Sequence, residues 1–128
     1  MNFSYTVTTK KGIDKAIEDI AENLKKIGFG VLEILDFKNL LQDKGLEFDW
    51  NYKQMQVCNP ELAKQVLEAN PDLGLLLPCT IAVYQKDNEN FVSLAKPSSV
   101  LYVASDDVWK FIGKDIEENL IQVIENSK

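Results

Sequence analysis

The sequence predicts an α+β fold: a mostly antiparallel sheet of about five strands with helices packed on one face. Three observations lead there. The hydrophobic period switches from two residues to about 3.6 between residues 3–9 and 12–27, and returns to two afterwards. The two strong helical patterns stand near the ends of the chain, with a group of strand-like segments between them. No β-then-α alternation is long enough for a doubly wound parallel sheet.

Each element has its own signal. "FSYTVTT" (3–9) alternates, with Phe3, Tyr5 and Val7 on one face, and reads as the first strand. Ile13, Ala16, Ile17, Ile20, Leu24 and Ile27 fall at helical spacing, and Gly28 suits the position just past the helix end. "FGVLEILDF" (29–37) reads as a second strand, and "KNLLQDKG" as a short helix ended by Gly45. "DWNYKQMQVC" (49–58) reads as a third strand, with Trp50, Tyr52, Gln54, Gln56 and Cys58 on one face. In "NPELAKQVLEANP", Asn59 caps a helix, Pro60 fills its first position, and Leu62, Ala63, Val66 and Leu67 form its stripe. "DLGLLL" reads as an apolar loop.

"CTIAVYQ" (79–85) is the fourth strand, "KDNEN" a hairpin-like loop, and "FVSLA" (91–95) the fifth strand, antiparallel to the fourth. "SSVLYVA" suggests a short helix. Asp106 or Asp107 then caps a last helix whose face carries Val108, Phe111, Ile112, Ile116, Leu120, Val123 and Ile124. With 128 residues and no linker or repeat, one domain over 1–128 is expected.

Composition narrows the function. Twenty acidic residues against 14 basic ones leave a net charge of -6. Nucleic acid binding rests on phosphate neutralisation by Lys and Arg, so no nucleic acid partner is expected. The same charge disfavours an anionic membrane, and no apolar run nears the ~20 residues that span a bilayer. "NFSYTVTT" has no basic start or apolar stretch of a signal peptide. Two cysteines do not make a disulfide scaffold. The cytoplasm is therefore the expected compartment.

The segment "CNPELAKQVLEANPDLGLLLPCTIAVYQ" (58–85) resembles the family called domain of unknown function 302. Its members look like N-P-x-x-A and a helix, followed by an L-P-C-x-x-x-V-Y-like strand. "IGFGVLEILDF", "GLEF" and "VSLAKPSSVL" fit as well, so the resemblance runs from about Phe3 to Ile124. It implies a β-α-β(4)-α arrangement similar to the TATA-binding-protein-like superfold, commonly as a homodimer, and no established reaction. The homodimer is implied by the resemblance alone.

Cys79, after Pro78 at a strand mouth, has two readings. It is either a thiolate nucleophile or redox centre, which needs a nearby cation such as Lys53 or Lys96, or a small buried hydrophobe. With no histidine in the chain, a Cys-His arrangement is excluded. Cys58 faces Cys79 only if the third and fourth strands are neighbours. The pair would then suit a reversible disulfide, or a zinc site needing further ligands. Glu47 and Asp49 offer an acid–base pair if they share a dry pocket; otherwise they are solvated strand-end charges. Trp50, Tyr52, Tyr84 and Tyr102 are candidates to line a ligand cleft between sheet and helices, the alternative being packing. "GFG" at 28–30 lacks the spacing of a dinucleotide loop, and no Walker-type lysine follows a glycine loop. No cofactor and no metal are expected.

The leading expectation is a homodimeric module that binds a small ligand or a partner in a cleft near Cys79, Pro78, Cys58, Trp50, Tyr52 and Tyr84. The alternatives are a thiol-dependent redox or sulfur-handling protein using Cys79, and a purely structural dimer joined by "LGLLLP".

Overall fold

In the computed structural model, which describes residues 2–99 and 107–128, the chain forms five strands and four α-helices among the described residues. They are β1 (Ser4–Thr9), α1 (Ile13–Lys25), β2 (Gly30–Asp36), α2 (Phe37–Asp43), β3 (Tyr52–Cys58), α3 (Pro60–Ala69), β4 (Cys79–Lys86), β5 (Glu89–Ala95) and α4 (Asp107–Ser127). The strands pair antiparallel in one sheet, in the order β1-β5-β4-β3-β2. The predicted α+β class and element order are present.

The helix ends follow from their residues. Beyond α1, Gly28 adopts φ +83, and the backbone N–H groups of Gly28 and Phe29 donate to the carbonyls of Lys25 and Leu24. Gly45, at φ +76, closes α2 in the same way, with Gly45 and Leu46 donating to Gln42 and Leu41. Asn59 caps α3: its Oδ1 accepts from the N–H groups of Glu61 and Leu62 at 3.1 and 3.3 Å. Asp87 and Asn88, both at positive φ, form the two-residue β4–β5 turn that Asn and Asp tolerate.

One face of the sheet meets α1 and α4. Met55, Val57, Ile81, Val83, Val92 and Leu94 on the strands bury against Ala16, Ile20 and Leu24 of α1 and Ile116, Leu120 and Ile124 of α4. Polar bonds fasten the end of α4. Lys11 Nζ donates to Asp19 and to the Ser127 carbonyl, both at 2.7 Å, Asn23 donates to the buried Ser127 hydroxyl, and the Tyr5 hydroxyl donates to Glu125.

Several expectations are corrected. "DLGLLL" is not an irregular loop but part of a 3-10 helix, Pro71–Leu76, started by the Asn70 side chain accepting from Asp72 N–H. Leu67 does not join the stripe of α3: it is 47% exposed, while Val66 is buried and Leu62 half-buried. The third strand begins at Tyr52 rather than Asp49, so Glu47 and Asp49 lie in the preceding loop, both exposed. The helix expected in "SSVLYVA" falls largely outside the described residues, as do Tyr102 and the cap expected at Asp106. No helix among the described residues is long and apolar enough to cross a membrane.

Candidate functional site

The pleat separates the sequence-derived candidates into two groups. Val57 pairs with Cys79 across β3 and β4, so Cys79 shares the buried face with Val57, Ile81 and Val83. Tyr52 pairs with Tyr84 and lies on the opposite face. Among the described residues, Cys79 and the candidates Tyr52 and Tyr84 therefore do not share one cleft between sheet and helices.

The cysteine group surrounds a nearly filled gap. Phe29, Cys58, Leu62, Val66, Leu77 and Cys79 line a space of about 10 Å3, little more than one water-sized sphere. Burial, and then the neighbouring Cys58 thiol, push the Cys79 thiol up to about 11. Burial also raises Cys58. Both cysteines are unpaired. These surroundings favour the neutral thiol and suit Cys79 as a packing group. Pro78 is half-buried beside it, after a cis Leu77–Pro78 bond. No group of three His, Cys, Asp or Glu among the described residues converges on a metal position.

The aromatic group is larger than the sequence suggested. Phe37 meets Tyr52 edge-on at 5.6 Å, Tyr52 stacks on Tyr84 at 5.4 Å, and Tyr84 stacks on Phe91 at 5.2 Å. Trp50 packs edge-on against Tyr52 and Tyr84 at 5.8 and 6.2 Å and lies 4.6 Å from Phe48. The row Tyr52–Tyr84–Phe91 is set by register, each residue directly opposite the next. Phe37, Phe48 and Phe91 were absent from the sequence-derived set. Phe91 was legible, because a Tyr84–Phe91 pair follows from a two-residue turn at Asp87–Asn88. Phe37 and Phe48 arrive through α2 and its following loop, which Gln42 ties down by donating to the Phe48 carbonyl at 2.9 Å.

Behind this aromatic end the central row of the open face is uncharged, with Glu33 beyond it opposite Gln56. The next row runs Thr6, Ser93, Ala82, Gln54, Leu35 across the five strands. Thr6 and Ser93 hydroxyls bond at 2.7 Å, and Thr80 donates to Gln56 at 3.1 Å. Neither row carries a charge, in a chain of net charge -6. A wide groove lies elsewhere, beside Lys10, Lys11 and Lys128, with a volume of about 810 Å3. Its lysines are largely engaged: Lys11 by Asp19 and the Ser127 carbonyl, Lys128 by Glu125 at 2.9 Å.

Fold and surface thus define a small α+β protein whose two long helices cover one side of its sheet, with an aromatic row and an uncharged central row on the other. The chain belongs to the family described as Domain of unknown function DUF302, which matches residues 5–127. It is similar to the crystal structure of an uncharacterised conserved DUF302 protein from Bacillus stearothermophilus. The TM-score is 0.93 at 36% identity, covering 98% of this chain and 98% of that one. No curated protein matches the chain.

Proposed function

We propose that this protein is a binding module, a homodimer joined through the open face of its sheet, with ligand grooves at the rim around Trp50. The observation that supports this best is the face itself: α1 and α4 cover only the other side, while Tyr52, Tyr84 and Phe91 stand half-buried beside an uncharged central row. Two copies of an acidic chain repel wherever charged surfaces meet, so an uncharged patch is where a second copy fits at least electrostatic cost. The amides of Gln54 and Gln56 carry both donors and acceptors, as an interface that meets itself requires. Five strands about 4.8 Å apart and about 20 Å long bury on the order of 1,000 Å2 in total when paired, where specific interfaces begin. The cytoplasm suits this reading, since Cys58 and Cys79 are unpaired.

The gap beside Cys79, at about 10 Å3, is too small for a ligand, so the ligand half of the reading rests on the aromatic candidates. The thiol-dependent alternative has burial against it. The third reading, a contact through "LGLLLP", has support in Leu75, which is 84% exposed.

Light scattering behind size exclusion tests the proposal: the expected mass is twice the 14.5 kDa of the chain. A 14.5 kDa species at every concentration tried overturns the dimer. Dimers that become monomers with Leu75→Asp move the interface to the loop.

A further inference from the structure

We propose that the Trp50 corner binds a small organic cation of the ammonium type; this deepens the ligand half of the binding-module reading and rests on it. The Trp50 ring already carries such a group. Lys86 Nζ sits 5.5 Å from the ring centre, inside the roughly 6 Å within which a cation is held by the ring's negative face. Lys86 makes no ion pair among the described residues, so the ring, rather than a carboxylate, is its partner there.

Two grooves share Asp49 and Trp50 in their linings. One, of about 600 Å3, is lined by Gln42, Leu46, Glu47, Phe48, Asp49 and Trp50. The other, of about 320 Å3, runs along Asp49, Trp50, Gln85, Lys86, Asp87 and Asn88. Both fall in the range of small-molecule sites, roughly 300–1,000 Å3. Their chemistry is of one kind. Phe48 and Trp50, 4.6 Å apart with 32° between their planes, supply aromatic surface for an apolar stem or methyl groups. Glu47, Asp49 and Asp87 supply negative charge, and none of the three is in a salt bridge among the described residues. Aromatic surface beside carboxylates recognises a soft, weakly hydrated cation better than a metal ion, because the rings offer no ligand atoms and the carboxylates do not converge on a point. The loop is held for this task by the Gln42 bond to the Phe48 carbonyl and by the edge-on contacts of Trp50 with Tyr52 and Tyr84. An anionic ligand would meet two carboxylates in either groove, Glu47 and Asp49 or Asp49 and Asp87, and an uncharged one would gain nothing from them.

The test uses choline as probe and 3,3-dimethylbutan-1-ol as its uncharged counterpart of the same shape. Trp50 emission is followed in a Trp109→Phe background, where Trp50 is the one indole left of the two, and calorimetry on the unaltered chain reads the same binding. Choline is expected to bind saturably and at least tenfold more tightly than the alcohol. Trp50→Leu is expected to abolish choline binding. Asp49→Asn with Asp87→Asn is expected to weaken it at least threefold. Lys86→Met, which removes the resident ammonium, is expected to tighten it. Equal binding of choline and the alcohol, or no saturable binding of choline by either readout, overturns the inference. Sedimentation of the same samples separates the failures: dimers that ignore choline defeat the cation site alone, and monomers defeat the module reading.

Discussion

Cys79 is expected to react with iodoacetamide about a hundredfold more slowly at neutral pH than an ordinary thiol. Only the thiolate attacks. Burial among Phe29, Leu62, Val66 and Leu77, with Cys58 alongside, raises the thiol from 9.0 to about 11. Each unit removes about tenfold of the thiolate at a fixed pH below both values. Restricted access slows the reaction further. The linked stability effect has a definite sign. A thiol that ionises at 9.0 when unfolded and at about 11 when folded stays neutral in both states at lower pH, so its full contribution is present below 9.0. It is lost as pH rises through about 11. Alkylation rates against pH, read by mass spectrometry in a Cys58→Ser background, check this. A midpoint at or below 9.0 in the folded protein would restore the thiolate reading.

Leu24→Ala is expected to cost about 2–5 kcal/mol, a large part of the ~5–15 kcal/mol that holds a domain of this size together. Leu24 is fully buried in the last turn of α1 and belongs to the same core as Met55, Val57, Ile81 and Leu120. Its carbonyl also accepts from Ile27 and Phe29, so the surroundings are pinned and cannot collapse into the cavity. Leu67→Ala, at a site 47% exposed, is the matched control and should change stability by under about 1 kcal/mol. Urea unfolding followed by circular dichroism reads both. Similar midpoint shifts for the two variants would contradict the burial pattern on which the fold rests.

The sequence made the buried side of this molecule legible, and the open side less so. The period of α1 and α4, the Gly28 and Gly45 stops, the Asn59-Pro60 start and the alternation of β4 each have a local cause, and each is found where its cause lies. Leu67 was misplaced because helical spacing widens a stripe without saying where the partner surface ends. "DLGLLL" was misplaced because a 3-10 turn has no apolar period of its own, and the informative residue was Asn70, read as part of a helix end. The candidate site failed in one specific respect. Trp50, Tyr52 and Tyr84 were grouped with Cys79, although Tyr84 and Cys79 are five residues apart and therefore on opposite faces of one strand. That parity was readable. Which face the helices cover was not, because it depends on Met55 and Val57 outweighing Tyr52 and Gln54 in the packing of β3.

The open face is the centre of this account, and two substitutions on it test the account most directly. Gln54 and Ser93 flank Ala82 in the middle row of the sheet, away from the core. Gln54→Glu with Ser93→Glu would place four like charges at the centre of a two-fold interface and leave the helix-covered side untouched. Sedimentation equilibrium of the unaltered chain and the double variant is the measurement. The account predicts dimers for the first and 14.5 kDa monomers for the second, with the variant still folded by circular dichroism. Dimers of equal strength from both chains would contradict it.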